Sequence, residues 1–128
     1  MSKIIGITTT LNRSDRIIKQ GIKYLNEIDL VNVSSDYSNA ISASGGTPML
    51  LPILEYYDHE IIERIIEGID GLLLTGGEDI DPKFYNEKRG NFNTYALMEI
   101  DIERDTFELA LIKAAVFHKL PILGICRV

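Results

Sequence analysis

The chain has 128 residues, with 13 Lys+Arg against 19 Asp+Glu and a formal net charge of −6. At roughly 100–200 residues per domain this is one domain, residues 1–128, and 45% apolar with 25% charged residues excludes a disordered chain. An acidic chain of pI near 4.8 with no Lys/Arg cluster argues against nucleic acid as a partner. Its apolar runs, such as Met49–Leu54 and Leu72–Leu74, are far short of the ~20 residues that a membrane-spanning helix needs. The single cysteine, Cys126, excludes an internal disulfide and a multi-cysteine zinc site. Residues 1–10 lack the basic flank and apolar stretch of a signal peptide, so a cytoplasmic setting is expected.

Lys3–Thr10 (KIIGITTT) opens with β-branched residues and predicts a first buried strand. Residues 11–34, rich in Asn, Ser, Arg and Lys, predict a long loop with one short helix over Ile17–Leu25. From Ser35, Tyr37, Ala40, Ile41 and Ser44 share a helical face, Ser34 or Ser35 can cap it, and Gly45-Gly46 can end it. Pro48–Pro52 predicts a second strand. Asp58 is placed to cap a helix over Glu60–Glu67, whose stripe is Ile61, Ile62, Ile65 and Ile66, with Gly68 as its stop.

Gly71–Thr75 (GLLLT) is continuously apolar, as a parallel strand covered on both faces must be. Glu78–Tyr95, acidic and rich in Tyr and Asn, predicts an irregular excursion. A long helix follows over Glu99–His118, with Phe107, Ala110, Leu111, Ala114 and Phe117 inward. His118 and Lys119 suit its C-terminal dipole. Pro121–Cys126 (PILGIC) predicts the last strand. The β-α-β-α-β-α-β order predicts a three-layer α/β sandwich with at least four mostly parallel strands.

Chemistry collects where such sheets bind ligands, at strand C-termini. Gly76-Gly77 directly follows a buried strand, so its backbone N–H groups are unobstructed and suit an oxyanion hole. A tight strand-to-loop turn is the plain alternative. Gly124-Ile125-Cys126 has the form of the first half of a nucleophile elbow, which presents a side chain on a sharp turn after a strand. A cysteine packed as a small hydrophobe is the plain alternative there.

Taken together, the strings LLLTGGEDIDPKFY (residues 72–85), EIDIERDTFELALIKAA (99–115) and KLPILGICR (119–127), with DYSNAISASGGTPMLLP (36–52) upstream, resemble the class I glutamine amidotransferase-like superfamily. Within it the chain is most similar to the γ-glutamyl-γ-aminobutyrate hydrolase family, the peptidase C26 type, and to the N-terminal half of that family only. The resemblance implies a flavodoxin-like three-layer fold, here incomplete after the nucleophile strand. It implies a hydrolase that opens γ-glutamyl amide bonds through a thioester on Cys126. It places the backbone N–H groups of Gly77 and Arg127 in an oxyanion hole that Gly76 shapes. Asp79, Asp81, Pro82 and Tyr85 match the loop by the substrate entrance, and Tyr37 matches a family tyrosine that contacts substrate or packs in the core. Arg104 and Asp105 match an Arg-Asp pair at the start of the long helix, read as structural.

Two departures stand out. Val128 takes the place of the family glycine after Cys-Arg, and the family's catalytic His and Glu fall beyond the matched positions. His59 and His118 match surface positions at helix ends and do not replace them. The chain by itself is therefore expected to be inactive. No cofactor and no metal are implied. The implied partners are a small γ-glutamyl substrate and a second copy of the chain in a homo-oligomer, most simply a dimer, because a half-built sheet leaves an open edge. Two other readings stay open: a non-catalytic assembly or regulatory module, and the glutaminase half of an amidotransferase.

Overall fold

The computed structural model of the chain describes residues 1–12, 30–76 and 94–126. In chain order these form β1 (Ile4–Thr8), β2 (Thr10–Asn12), β3 (Leu30–Asn32), α1 (Ser35–Ala43), β4 (Thr47–Leu51), α2 (His59–Glu67), β5 (Gly71–Leu74), α3 (Thr94–Phe117) and β6 (Ile122–Gly124). The main sheet has the order β4-β1-β5-β6, and every pairing in it is parallel. The chain runs from β1 outward to β4, then crosses back over β1 to β5. The strand order therefore reverses at the β1/β5 boundary, where open α/β sheets hold ligands.

Alternation along the strands builds two cores. Leu72 and Leu74 face the side covered by α2 and α3, among Ile62, Ile66, Phe107, Leu111, Ala114 and Ala115. Leu73 and Ile7 face the other side, with Tyr37 of α1 and the partly buried Ile5, Val33 and Ile41. Helices cover both faces, so β5 is buried at all four residues. The layers are thus helix, sheet, helix, as the apolar runs predict.

Local signals set most boundaries. Ser34 caps α1 by accepting from the Asp36 N–H, and Gly45 follows its end at φ +91, a conformation that costs glycine little. Asp58 caps α2, its carboxylate accepting from the Ile61 N–H at 2.9 Å. Asp58→Ala should lower the unfolding free energy by about 1 kcal/mol, read as an earlier urea midpoint with unchanged slope.

Several expectations are corrected. Part of the stretch expected to be a loop pairs: Leu11 sits opposite Val31 in an antiparallel β2–β3 ribbon. Thr10 belongs to that ribbon and not to the first strand, while the helix expected over residues 17–25 lies outside the described residues. The long helix begins at Thr94, not at Glu99, so Thr94 and Tyr95 are helical and not the end of an excursion. Phe117, expected inward, is exposed because it is the last residue of α3, beyond the buried Ala114–Ala115 turn. Ile61 of the α2 stripe is likewise exposed. No helix among the described residues is long and apolar enough to cross a membrane.

Candidate active site

Cys126 lies just past β6, beyond the last pairing of the sheet, in which the Ile125 N–H donates to Leu74 O at 2.9 Å. Its backbone turns to φ +63, while the residues of the strand before it stay extended. A residue with a Cβ in the left-handed region costs roughly 1–3 kcal/mol and persists where the surroundings impose it. The thiol-bearing residue is exposed, not packed in either core.

Gly76 stands directly against this turn. A Cβ built on it would lie 3.1 Å from Cys126 Cβ, 3.3 Å from Ile125 O and 3.4 Å from Tyr37 Oη. The two strand ends singled out in the sequence are therefore in contact. Their strands are neighbours in register, Leu74 opposite Gly124, so the turns leaving them meet.

Beneath Gly76 lies a buried polar network. Tyr37, buried in α1, accepts from the Gly76 N–H at 3.1 Å, so that amide shapes the turn and is already committed. Thr75 is fully buried; its N–H donates to Thr8 Oγ1 and its hydroxyl to Thr8 O, both at 3.0 Å. Arg104 reaches this point from the middle of α3 with its side chain 2% exposed. Its Nη2 donates to Thr75 O (2.8 Å) and Thr75 Oγ1 (2.9 Å), and its Nη1 to Thr10 Oγ1 (3.0 Å) and Gly76 O (3.4 Å). Its Nε donates to Glu108 Oε2, one helical turn on. Burial pushes the Glu108 carboxyl above its usual range, against the opposing pull of the hydrogen bond and charge of Arg104.

Of the residues singled out in the sequence, the structure brings Cys126, Gly76, Tyr37 and Arg104 together. Gly77, Asp79, Asp81, Pro82, Tyr85, Arg127 and Val128 lie outside the described residues. The helix-start placement of the Arg104-Asp105 pair is corrected. Arg104 is mid-helix because α3 starts at Thr94, and its buried partner is Glu108, whereas Asp105 is exposed. Glu108, Thr8, Thr10 and Thr75 are members of the buried supporting network that the sequence reading missed. The signals were the i,i+4 spacing of Arg104 and Glu108 and the run of three threonines, residues 8–10, leading from β1 into β2.

The two histidines sit elsewhere. His59 and His118 both pair with Glu63 on the surface where α2 meets α3. Among the described residues no imidazole is hydrogen-bonded to Cys126, and no three His, Cys, Asp or Glu side chains gather as a metal site.

A parallel three-layer sheet with a positive-φ cysteine on one strand end and a glycine turn on the next has the architecture of nucleophile-elbow α/β enzymes. The chain belongs to the peptidase C26 family, whose family model matches residues 3–128. It is 45% identical over 95 residues to a glutamine amidotransferase-like protein of Rickettsia prowazekii, covering 72% of this chain and 30% of that one. It is 33% identical over 124 residues to a glutamine amidotransferase-like protein of Lactococcus lactis, covering 97% of this chain and 48% of the relative. It is 32% identical over 92 residues to a γ-glutamyl-γ-aminobutyrate hydrolase of Escherichia coli, covering 71% and 34%. The chain thus spans less than half the length of each of these relatives.

Proposed function

We propose that this chain carries the nucleophile of a cysteine-dependent hydrolase acting on γ-glutamyl amide bonds. One observation carries the reading: an exposed cysteine at φ +63 seated against a side-chain-free strand end. That placement lets the sulfur attack a carbonyl beside a strand end with no side chain in the way, where an oxyanion can develop. The E. coli relative, named for hydrolysis of γ-glutamyl-γ-aminobutyrate, supports a γ-glutamyl acyl group over other amides. In the first step the thiolate forms an S–C bond at the γ-carbonyl, and the tetrahedral intermediate collapses with the leaving group departing. Water then cleaves the thioester to free glutamate.

The test uses γ-glutamyl 4-nitrophenyl ester, whose phenolate leaves without a general acid. The protein should give a burst of about one nitrophenolate per chain and gain one γ-glutamyl group by intact mass, as an acyl-enzyme does. Cys126→Ala should abolish both. A burst that survives in Cys126→Ala, or labelling at another residue, overturns the proposal.

A further inference from the structure

The buried Arg104 does more than an ion pair requires. An arginine has five N–H donors in a fixed planar fork. Here all five have acceptors, and only one of these is the carboxylate of Glu108. Three of the other four bonds end on Thr75 and Gly76, the strand end in contact with Cys126. Resting on the reading above, we propose that Arg104 is a positioning residue that holds the Thr75–Gly76 backbone in place against the reacting Cys126.

Peptide planarity makes the argument. The Thr75 carbonyl and the Gly76 N–H belong to one rigid plane. Arg104 holds its oxygen and Tyr37 its hydrogen, so that plane is fixed from both sides. The Gly76 carbonyl belongs to the next plane, and Arg104 Nη1 holds that oxygen also. Holding both oxygens to one rigid guanidinium therefore fixes Gly76 itself, the residue that stands against the Cys126 turn. Glycine needs such external fixing, since its own backbone is the least restricted of any residue.

A solely structural ion pair predicts a different response to substitution. Arg104→Lys keeps a cation beside Glu108 but replaces the five-donor fork with a three-donor point charge. Two reactions of Cys126 then separate the roles. With iodoacetamide the sulfur displaces iodide at carbon, forms a thioether and builds no oxyanion. With γ-glutamyl 4-nitrophenyl ester it adds to a carbonyl, builds an oxyanion and expels nitrophenolate. In Arg104→Lys the acylation rate should fall about 10–100-fold, the scale on which a small displacement beside the reacting atoms slows the chemistry. Alkylation should stay within about 3-fold, because it builds no oxyanion beside that strand end.

Glu108→Gln keeps a neutral acceptor for Nε and leaves the carbonyl-directed donors in place, so its acylation-to-alkylation ratio should match the wild type. That variant also carries the test if the lysine protein does not fold. Acylation and alkylation falling in parallel in Arg104→Lys, or neither changing, overturns the assignment. So does a tenfold drop in the ratio for Glu108→Gln. Wild-type acylation no faster than that of Cys126→Ala overturns the underlying reading instead, and this assignment with it.

Discussion

Residues 1–128 by themselves should release no measurable glutamate from γ-glutamyl-γ-aminobutyrate or from glutamine, even where the activated ester acylates Cys126. The difference lies in the leaving group. A nitrophenolate departs as a stable anion, but an amine must be protonated as the C–N bond breaks, and an acid positioned at that nitrogen supplies the proton. The few per cent of thiolate present at neutral pH serves an activated ester, whereas an unactivated amide also needs a base beside the thiol. Both histidines are engaged with Glu63 at the α2–α3 surface, and among the described residues neither is bonded to Cys126. Enzymes stripped of their catalytic base lose about 10⁴–10⁶ in turnover while keeping the residual contribution of binding and the oxyanion hole. A coupled glutamate assay run for hours at high protein concentration checks this, with iodoacetamide labelling of Cys126 as the control for an accessible thiol. Robust amide hydrolysis that disappears in Cys126→Ala would mean that a base reaches the sulfur from elsewhere.

Three strands of the main sheet, β4, β5 and β6, were legible in the sequence as short apolar runs bounded by Gly or Pro, as in GLLLT before Gly76-Gly77, and β1 was legible from its β-branched residues. The caps were legible too: Ser34 and Asp58 act through bonds to N–H groups two and three residues on. The β2–β3 ribbon was not. Three-residue strands such as TLN and LVN are too short for alternation to register, and their pairing spans residues far apart in the chain. The start of the long helix was misplaced because Tyr and Thr at residues 94–95 read as a continuation of the polar stretch before them.

At the site, the cysteine turn and the glycine turn could be read as motifs, since each is contiguous. The polar network could not, because its members come from β1, β2, α1, β5 and α3 and meet only when the sheet order reverses at β1/β5. Arg104 was visible as a residue, but its pairing with Glu108 was not read. Adjacent residues on a helix point about 100° apart, whereas residues four apart share a face. Asp105 is therefore turned away from the core that Arg104 and Glu108 enter.

Removing that guanidinium should be the most destabilising single change at the site. Arg104→Met keeps much of the side-chain volume but leaves Glu108, with its side chain 6% exposed, without its cation. Breaking a buried ion pair from one side costs about 3–5 kcal/mol, because an uncompensated charge stays in the interior. The loss should depend on pH, and its sign follows from Glu108. Burial already raises its carboxyl above the reference value of 4.5, against the lowering effect of Arg104. A group whose folded pKa is raised contributes stability that is present below the unfolded value and lost as pH rises through the folded one. Without Arg104 the lowering effect disappears, the carboxyl rises further, and the pH window of that loss widens upward. Urea unfolding should show the full deficit of Arg104→Met at neutral pH, with the gap to wild type narrowing on acidification toward the reference value. Arg104→Met combined with Glu108→Leu should recover much of the deficit, since an apolar pair of similar volume removes the buried charge altogether. A deficit equal at every pH and untouched by the second substitution would locate the cost at the strand end instead, where Thr75 O, Thr75 Oγ1 and Thr10 Oγ1 would have lost their donors.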